Sequence, residues 1–311
     1  MNDAALTESV IPVMRERSCA ICGTKAQHSW MKADVDFAAL DGFAFASRKL
    51  PEYMHFDLAL CRDCDLVFAN AVPPLDWFQS SYREAQFDAE NESQYAAQTY
   101  ANELKKLLPQ ISGRCAALDI GAGDGAFVAA LVAAGFEEVI GVEPSVEPVK
   151  RAAPNIRQFL RNDFFRKEDF EENSFDLITC FQTLEHLENP LELCQSAFQL
   201  LRPGGVLMTV AHDFRAPLAR FLGKKSPIYD IEHLQLFSTK SMACLYQKIG
   251  FSDVKVQSLR NAYPLSYWLR LIPLPQKIKK SLLPVVASSA LGKTLISAKV
   301  GNLLAVGTKK I

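Results

Sequence analysis

The sequence lacks the marks of several protein classes. It has no uncharged apolar run of the ~18 residues that a membrane-spanning helix needs. Its first residues, MNDAALTESVIPVMRERS, contain no apolar segment of the kind found in a secretory signal. Neither an internal repeat nor a low-complexity tract is visible. These absences argue against a membrane-spanning, secreted or repeat protein, and we expect a cytoplasmic location.

Excess charge and cysteine are also scarce. The net charge is -1, so the chain has no bulk positive charge with which to coat nucleic acid. Eight cysteines in 311 residues are too few for a disulfide scaffold. With 49% apolar residues the chain can bury a proper core, which predicts one large domain or one domain and a small module.

Four of the cysteines form two C-x-x-C pairs. Cys19 and Cys22 make the first pair, and Cys61 and Cys64 make the second. Two thiolates at this spacing sit on a tight turn, and two such turns facing each other create a tetrahedral sulfur site that suits zinc. Four sulfur ligands leave no open position for a reacting water, so we expect a structural zinc module over residues 1–75. Chance pairs of buried or redox cysteines are the alternative.

After this module, short apolar segments alternate with helical ones. The segments ALDI, EVIGVE, FDLITC and GGVLMTV read as strands, and DGAFVAALVAAG and LELCQSAFQLL read as helices. Near-continuous apolar strands that alternate with helices predict a parallel sheet covered on both faces. We place this α/β domain at residues 76–311.

A glycine-rich turn follows the first of these strands, in CAALDIGAGDGAF. Glycines there let the backbone approach a ligand, and the next helix offers free N–H groups. The spacing G-x-G-x-x-A would fit the pyrophosphate of NAD. Asp119, just before the first glycine, would repel a pyrophosphate but would attract an ammonium group. Glu143, at the end of the next strand, could accept ribose hydroxyls from either kind of ligand.

Read from Asp119, the turn has the form D-x-G-x-G-x-G and resembles motif I of class I S-adenosylmethionine-dependent methyltransferases. The segments NSFDLITCFQTLEHL and LLRPGGVLMTV resemble the family's fourth strand and its turn into the fifth. The closing GNLLAVGTKK resembles its reversed final strand. The resemblance implies S-adenosylmethionine as cofactor. It also implies a Rossmann-like, seven-stranded, mostly parallel sheet whose last strand is antiparallel, with the zinc knuckle module in front.

The same resemblance assigns cofactor contacts. Asp119 and the glycines would surround the methionine part, Glu143 would bind the ribose, and Asp163 would meet the adenine amino group. Phe164 would cover the adenine ring, although a turn role for Asp163 and a core role for Phe164 stay open. The implied set is Asp119, Gly121, Gly123, Gly125, Glu143, Asp163, Phe164 and Gln182.

The segment YDIEHLQLFS resembles the tyrosine-glutamate-histidine cluster of zinc-containing sugar C-methyltransferases, which also begin with two C-x-x-C pairs. The resemblance implies catalytic roles for Tyr229, Glu232 and His233. Methyl transfer also needs a base opposite the sulfonium, in the loops after the fourth and fifth strands, where the candidates are His186, His212, Asp213 and His233. We favour His233 as the base, and a structural role for His186 stays open. Tyr229 stands further from Glu232 than in that family, and the chain shows no counterpart of its extra C-terminal domain. These two departures bear on carbon methylation and leave the expectation of methyl transfer unchanged.

A region at about 260–301 departs from the family pattern. It carries no Asp or Glu but contains Arg270, Lys277, Lys279, Lys280, Lys293 and Lys299. We expect Pro264, Pro273, Pro275 and Pro284 to divide it into short amphipathic pieces. Such pieces could lie on anionic lipid, giving a peripheral contact at the inner face of the membrane, or could form a lid.

These patterns predict an S-adenosylmethionine-dependent methyltransferase that acts at oxygen or carbon of a small-molecule or lipid-linked sugar acceptor. The alternatives are an RNA methyltransferase that grips RNA through the zinc module, and an inactive methyltransferase-like binding protein. Seven basic and seven acidic residues between Arg15 and Cys64 give that module no charge for phosphates. We expect no DNA partner, and the sequence leaves the oligomeric state open.

Overall fold

The computed structural model describes residues 12–40, 43–46, 52–86, 92–272 and 276–310, and within 276–280 it describes the side chain of Ile278 alone. Pro273, Pro275 and the side chains of Lys277, Lys279 and Lys280 lie outside the described residues. Over the described ranges, no helix combines the length and the apolar character needed to cross a bilayer.

The amino-terminal region is built from short strands followed by a helix. Its elements are β1 (Arg15–Glu16), β2 (His28–Met31), β3 (Leu58–Leu60), β4 (Val67–Ala69), β5 (Ala71–Val72) and α1 (Leu75–Glu84). Strands β2, β3 and β4 pair antiparallel, and β1 pairs with β5. Phe45, Phe56 and Phe78 pack beneath this sheet in a shared apolar core. Because the strands are short, this core supplies the stability that their hydrogen bonds alone would not.

Alternating helices and strands make up the remainder. The first half contains α2 (Glu92–Leu107), β6 (Ala116–Ile120), α3 (Ala126–Ala133), β7 (Glu138–Val142), α4 (Val146–Arg151), α5 (Pro154–Arg157), β8 (Leu160–Arg161) and β9 (Phe175–Phe181). The second half contains α6 (Pro190–Leu200), β10 (Leu201–His212), α7 (Pro217–Leu222), β11 (Gln235–Leu236), α8 (Thr239–Ile249), β12 (Ser252–Pro264), α9 (Leu265–Leu271), α10 (Gln276–Ser288), α11 (Ala290–Lys293) and β13 (Leu295–Thr308).

The central sheet confirms the predicted fold class. Within the described residues it has seven strands in the order β12-β13-β10-β9-β6-β7-β8. Strands β6 to β10 pair in parallel, whereas β13 runs antiparallel to both β10 and β12. Every residue of β6 is buried, as expected for a strand with helices on both faces.

The two regions are joined by β11. It lies late in the chain, yet it pairs antiparallel with β4 of the amino-terminal sheet. The backbone N–H of Ala69 also donates to the carbonyl of Leu234 at 2.8 Å. The predicted division at residue 75 coincides with the start of α1, but a single sheet extends across it.

The region predicted at about 260–301 begins and ends in strands. β12 runs to Pro264 and β13 starts at Leu295, so helices α9, α10 and α11 occupy the middle. The expected break at Pro284 is wrong, because this residue lies inside α10. A proline removes one N–H and bends a helix, but an exposed helix such as this one can continue around it.

Candidate functional site

A cavity of about 810 Å³ opens at the carboxyl ends of the parallel strands. These ends meet at one edge of the sheet, where ligands bind in open α/β folds. The cavity brings together most of the predicted site residues, which come from four strand ends and the loop before β11. Those lining it are Asp119, Gly121, Gly123, Glu143, Phe164, Gln182, His186, Glu232 and His233.

The three glycines of the turn are required for three different reasons. All three have a positive backbone φ, which residues with a side chain rarely adopt: +78° at Gly121, +56° at Gly123 and +77° at Gly125. A Cβ on Gly121 would lie 2.2 Å from Oγ1 of Thr183, and one on Gly125 would lie 2.7 Å from Ile156. A Cβ on Gly123 would meet no atom within 4 Å. Since Gly123 lines the cavity, that open space is available to a ligand.

Two buried carboxylates stand beside this turn. Glu143 accepts N–H groups from Gly123 at 2.9 Å and Ser145 at 2.8 Å, and burial raises its pKa. Asp119 accepts the hydroxyl of Thr179 at 2.7 Å. Burial raises the pKa of Asp119 to about 7, and the neighbouring charge of Glu143 adds to the effect. The pocket thus contains two buried carboxyl groups and, among its described lining residues, no lysine or arginine.

The remaining predicted cofactor contacts are placed unevenly. Gln182 lines the cavity with a φ of +49°, a strained value for a residue other than glycine. Phe164 also lines it. Asp163 lies beside the cavity rather than in its lining: its Oδ2 is 2.8 Å from the Arg166 guanidinium, and its Oδ1 accepts the N–H of Phe164. Gly125 is not among the described residues that line the cavity. Its lack of a side chain allows the start of α3 to pack closely against Ile156.

Three histidines also line the cavity. The rings of His186 and His212 each lie 5.0 Å from the ring of His233, centroid to centroid. Nδ1 of His186 is 3.5 Å from Oε2 of Glu232. The ligand atoms of His186, Glu232 and His233 lie within 4.8 Å of one another, so this group could hold a proton or a metal ion.

Hydrogen bonds determine which ring nitrogen can accept a proton. Nδ1 of His233 lies 2.9 Å from the carbonyl oxygen of Ile228, which can only accept, so Nδ1 carries hydrogen and Nε2 is basic. His212 is oriented in the same way. The amide of Asn302 donates to Asn261 at 3.1 Å, so its oxygen accepts from Nδ1 of His212 at 3.0 Å. Both rings therefore present Nε2 as the basic nitrogen.

Tyr229 is separated from this group. Its hydroxyl accepts the indole N–H of Trp30 at 3.2 Å, and its side chain is buried in the aromatic core of the amino-terminal region. It is absent from the described residues that line the cavity. The structure therefore unites three of the four predicted catalytic residues and places the fourth elsewhere.

Several lining residues escaped the sequence analysis. Phe45 and Tyr82 reach the cavity from the amino-terminal side, and their rings contact each other at 5.2 Å. The ring of Tyr82 also lies 5.9 Å from that of His186. Its buried hydroxyl finds no hydrogen-bond partner among the described residues. Burial raises its pKa well above the ordinary value, with the charge of Glu232 contributing. The only signal in the sequence was the aromatic run that contains Tyr82.

The four predicted zinc ligands also come together. The sulfur atoms of Cys19, Cys22, Cys61 and Cys64 all lie within 4.8 Å of one another, with 3.5 Å between Cys19 and Cys64. The N–H of Cys22 points at the sulfur of Cys19 at 3.5 Å. Hydrogen bonding from Cys64 lowers the pKa of Cys19. Such a group could bind a zinc ion.

Comparison with known proteins agrees with this architecture. A family model for a methyltransferase domain matches residues 92–256, just over half of the chain. The ubiquinone biosynthesis O-methyltransferase of Actinobacillus pleuropneumoniae is 33% identical in an alignment of 118 positions, and the match covers 34% of this chain and 50% of that protein. The chain thus spans about half the length of the curated relatives it matches.

Solved structures resemble the fold at lower identity. An S-adenosylmethionine-dependent methyltransferase of Thermotoga maritima has a TM-score of 0.46 and 23% identity, covering 70% of this chain and 91% of its own. The phosphoethanolamine N-methyltransferase 2 of Haemonchus contortus, in complex with S-adenosylmethionine, has a TM-score of 0.46 and 15% identity. That match covers 79% of this chain and 63% of the other.

Proposed function

This chain belongs to the class I S-adenosylmethionine-dependent methyltransferases, and from that membership we propose that it methylates an oxygen or carbon atom of a small-molecule or glycan acceptor, a class that includes lipid-linked sugars. One observation carries the proposal: the glycine turn with its carboxylates and a histidine group line the same cavity. We call the part at the glycine turn the donor end and the part at the histidines the acceptor end. Donor and acceptor held together in this way react as if in one molecule.

The donor end fits S-adenosylmethionine. Bound there, the cofactor supplies a methyl group already activated by its positive sulfur. Asp119 would hold the ammonium group and Glu143 the ribose hydroxyls, while the space above Gly123 admits the ligand against the backbone. Phe164 would cover the adenine ring. Asp163, beside it, would meet the adenine amino group by releasing its contact with Arg166.

The acceptor end is suited to removing a proton. We assign His233 as the general base because its Nε2 is basic and its ring lines the cavity. His186 and Glu232 lie next to it and would orient the acceptor hydroxyl. Tyr229 supports the loop from the side of Trp30, so we assign it no contact with the acceptor.

The four clustered cysteines would hold one structural zinc ion. Four sulfur ligands satisfy its tetrahedral preference and leave no position for a substrate. This role is favoured by the location of the cluster, which packs against the apolar core of the methyltransferase domain and away from the cavity lining.

The test is a comparison of two histidine variants in turnover and in cofactor binding. His233→Asn should lower kcat by about 100- to 10,000-fold, the usual contribution of a general base, and leave the Kd for S-adenosylmethionine unchanged. His28→Asn, at an exposed position on β2, is the matched control. Acceptors are found first by screening nucleotide sugars, polyprenyl-linked sugars and phenols with methyl-labelled cofactor.

Three results would overturn parts of this proposal. Full turnover in His233→Asn would remove this residue as the base. Turnover that requires added magnesium or manganese would replace the base with a metal-bound acceptor at the same histidine group. Tight cofactor binding without turnover on any acceptor would favour an inactive binding protein.

A further inference from the structure

The mouth of the cavity is bordered by exposed apolar side chains. Leu218, Ile272 and Ile296 line the cavity, yet they remain 41%, 44% and 39% exposed. Next to them, Phe221 is 86% exposed and Leu291 is 67% exposed. We call this set the apolar rim. It comprises Leu218, Phe221, Ile272, Leu291, Leu295 and Ile296.

The rim is formed by elements that are fastened to each other. Helix α7 packs against β13, and α9 packs against β12 and α11. The indole N–H of Trp268 on α9 donates to the carbonyl of Ile296 at 3.0 Å. Leu265, Tyr267 and Trp268 turn toward the cavity and line it. Helix α9 therefore covers the cavity with its inner side, while the exposed apolar residues lie around the opening.

The segments that carry the rim contain basic residues and no acidic ones, although Arg270 of α9 pairs with Glu92 of α2 at 3.2 Å. Arg220, Lys224, Lys225, Lys293 and Lys299 are exposed. The sequence contains no Asp or Glu from 214 to 229 or from 260 to 301. Exposed apolar groups flanked by lysines match the interface of a bilayer with anionic lipid, where lysine meets the headgroups and apolar groups enter the acyl boundary. A cluster of exposed apolar side chains, as opposed to single ones scattered over the surface, is typical of an interaction surface.

We propose that the apolar rim and its flanking lysines dock the protein on a membrane that contains anionic lipid. The cavity then opens toward the bilayer, so that an acceptor carried by a lipid enters without its apolar part crossing water. The identity of that lipid-borne molecule as acceptor rests on the proposed methyl transfer, whereas the docking itself does not.

Vesicle flotation of the full chain tests the docking. Vesicles of phosphatidylcholine alone are compared with vesicles that also contain phosphatidylglycerol, at low and at high salt. Each lysine near an anionic surface contributes about fivefold in affinity, so Lys224→Glu/Lys225→Glu should bind at least about 30-fold more weakly. Phe221→Ser should weaken binding at both salt concentrations, because its contribution is apolar.

The matched control is Lys105→Glu/Lys255→Glu, which makes the same charge change at exposed positions. Lys105 lies at the end of α2 away from its cavity-lining residues, and Lys255 pairs with Val306 at the far end of the sheet edge. This variant should bind anionic vesicles nearly as well as the unaltered protein. Unchanged S-adenosylmethionine affinity in every variant, by calorimetry, shows that the fold is intact and tests the proposed function separately.

Failure to float with anionic vesicles at low salt would overturn the docking. So would equal binding by the rim and control variants, since the contact would then lie elsewhere. Sedimentation gives the remaining outcome. If the unaltered protein dimerises and Phe221→Ser is monomeric, with no vesicle binding in either, the rim is covered by a second copy of the chain.

Discussion

Replacing Asp119 with asparagine should stabilise the folded protein and weaken its binding of the cofactor. The carboxyl is buried, and its pKa is raised from 3.8 to about 7, first by burial and then by Glu143. A raised carboxyl pKa means that the folded state favours the protonated form. The contribution of this carboxyl to stability is therefore fully present below its pKa in the unfolded chain. It is lost as the pH rises through its pKa in the folded protein.

The magnitude follows from that difference in pKa. About three units at 1.36 kcal/mol each correspond to as much as about 4 kcal/mol of lost stability above pH 7. Asparagine carries no charge and can still accept the Thr179 hydroxyl, so it removes this loss. The variant should melt several degrees higher than the unaltered protein at pH 8 and at the same temperature at pH 4.

Cofactor binding should move in the opposite direction. A hydrogen bond to a charged group contributes about 1.5–3 kcal/mol, so Asp119→Asn should bind S-adenosylmethionine about 10- to 150-fold more weakly at pH 8. In the unaltered protein the affinity should fall as pH drops below 7, because Asp119 then becomes neutral. Calorimetry and thermal denaturation across this pH range measure both effects.

The control is Asp253→Asn, the same chemical change at an exposed position at the start of β12. Asp253 has a φ of +50°, a conformation that asparagine also adopts, so this change should alter stability little and leave binding unchanged. Unaltered cofactor affinity in Asp119→Asn would refute the assignment of this carboxylate to the ammonium group. Equal melting temperatures at pH 8 would refute the claim that its buried charge is destabilising.

Two further predictions concern the turn and the cysteines. Gly123→Ala and Gly250→Ala both place a side chain at positive φ with no atom within 4 Å, so each should lose about 1–2 kcal/mol of stability. Only Gly123→Ala should weaken S-adenosylmethionine binding in calorimetry, and equal affinities would contradict the cofactor position. Elemental analysis should find one zinc per chain in the unaltered protein and in Cys244→Ser, whose thiol lies outside the cluster. The ion should be lost in Cys61→Ser. If the unaltered protein contains no zinc even after it has been refolded in the presence of zinc, the cluster does not bind this metal.

Much of the fold could be predicted because its signals are local. The strand that ends at Ile120 is apolar at nearly every position, as a strand covered on both faces must be. The glycine turn after it needs positive φ, and such a requirement is visible in the residue type itself. Glu143 follows from its place at the end of the next strand. These features depend on few residues that are neighbours in sequence.

Other features depend on contacts that no local pattern encodes. Strand β11 has two residues, too few to show a period, and its partner β4 lies far away in the chain. Phe45 and Tyr82 are likewise far in sequence from the other residues that line the cavity, so no local pattern predicted their position there. For Tyr229, sequence similarity indicated its neighbours but not the direction of its side chain, which hydrogen-bonds to Trp30 and is not among the described residues that line the cavity.

The pairing of β11 with β4 changes how the protein can be divided. A chain started at residue 76 would remove β4, leaving the edge of β11 and the buried Leu236 without their cover. The loop that carries Glu232 and His233 runs directly into that strand. The cysteine-bearing region and the loop with Glu232 and His233 are thus linked through one sheet, and we expect that loss of the first would lower turnover.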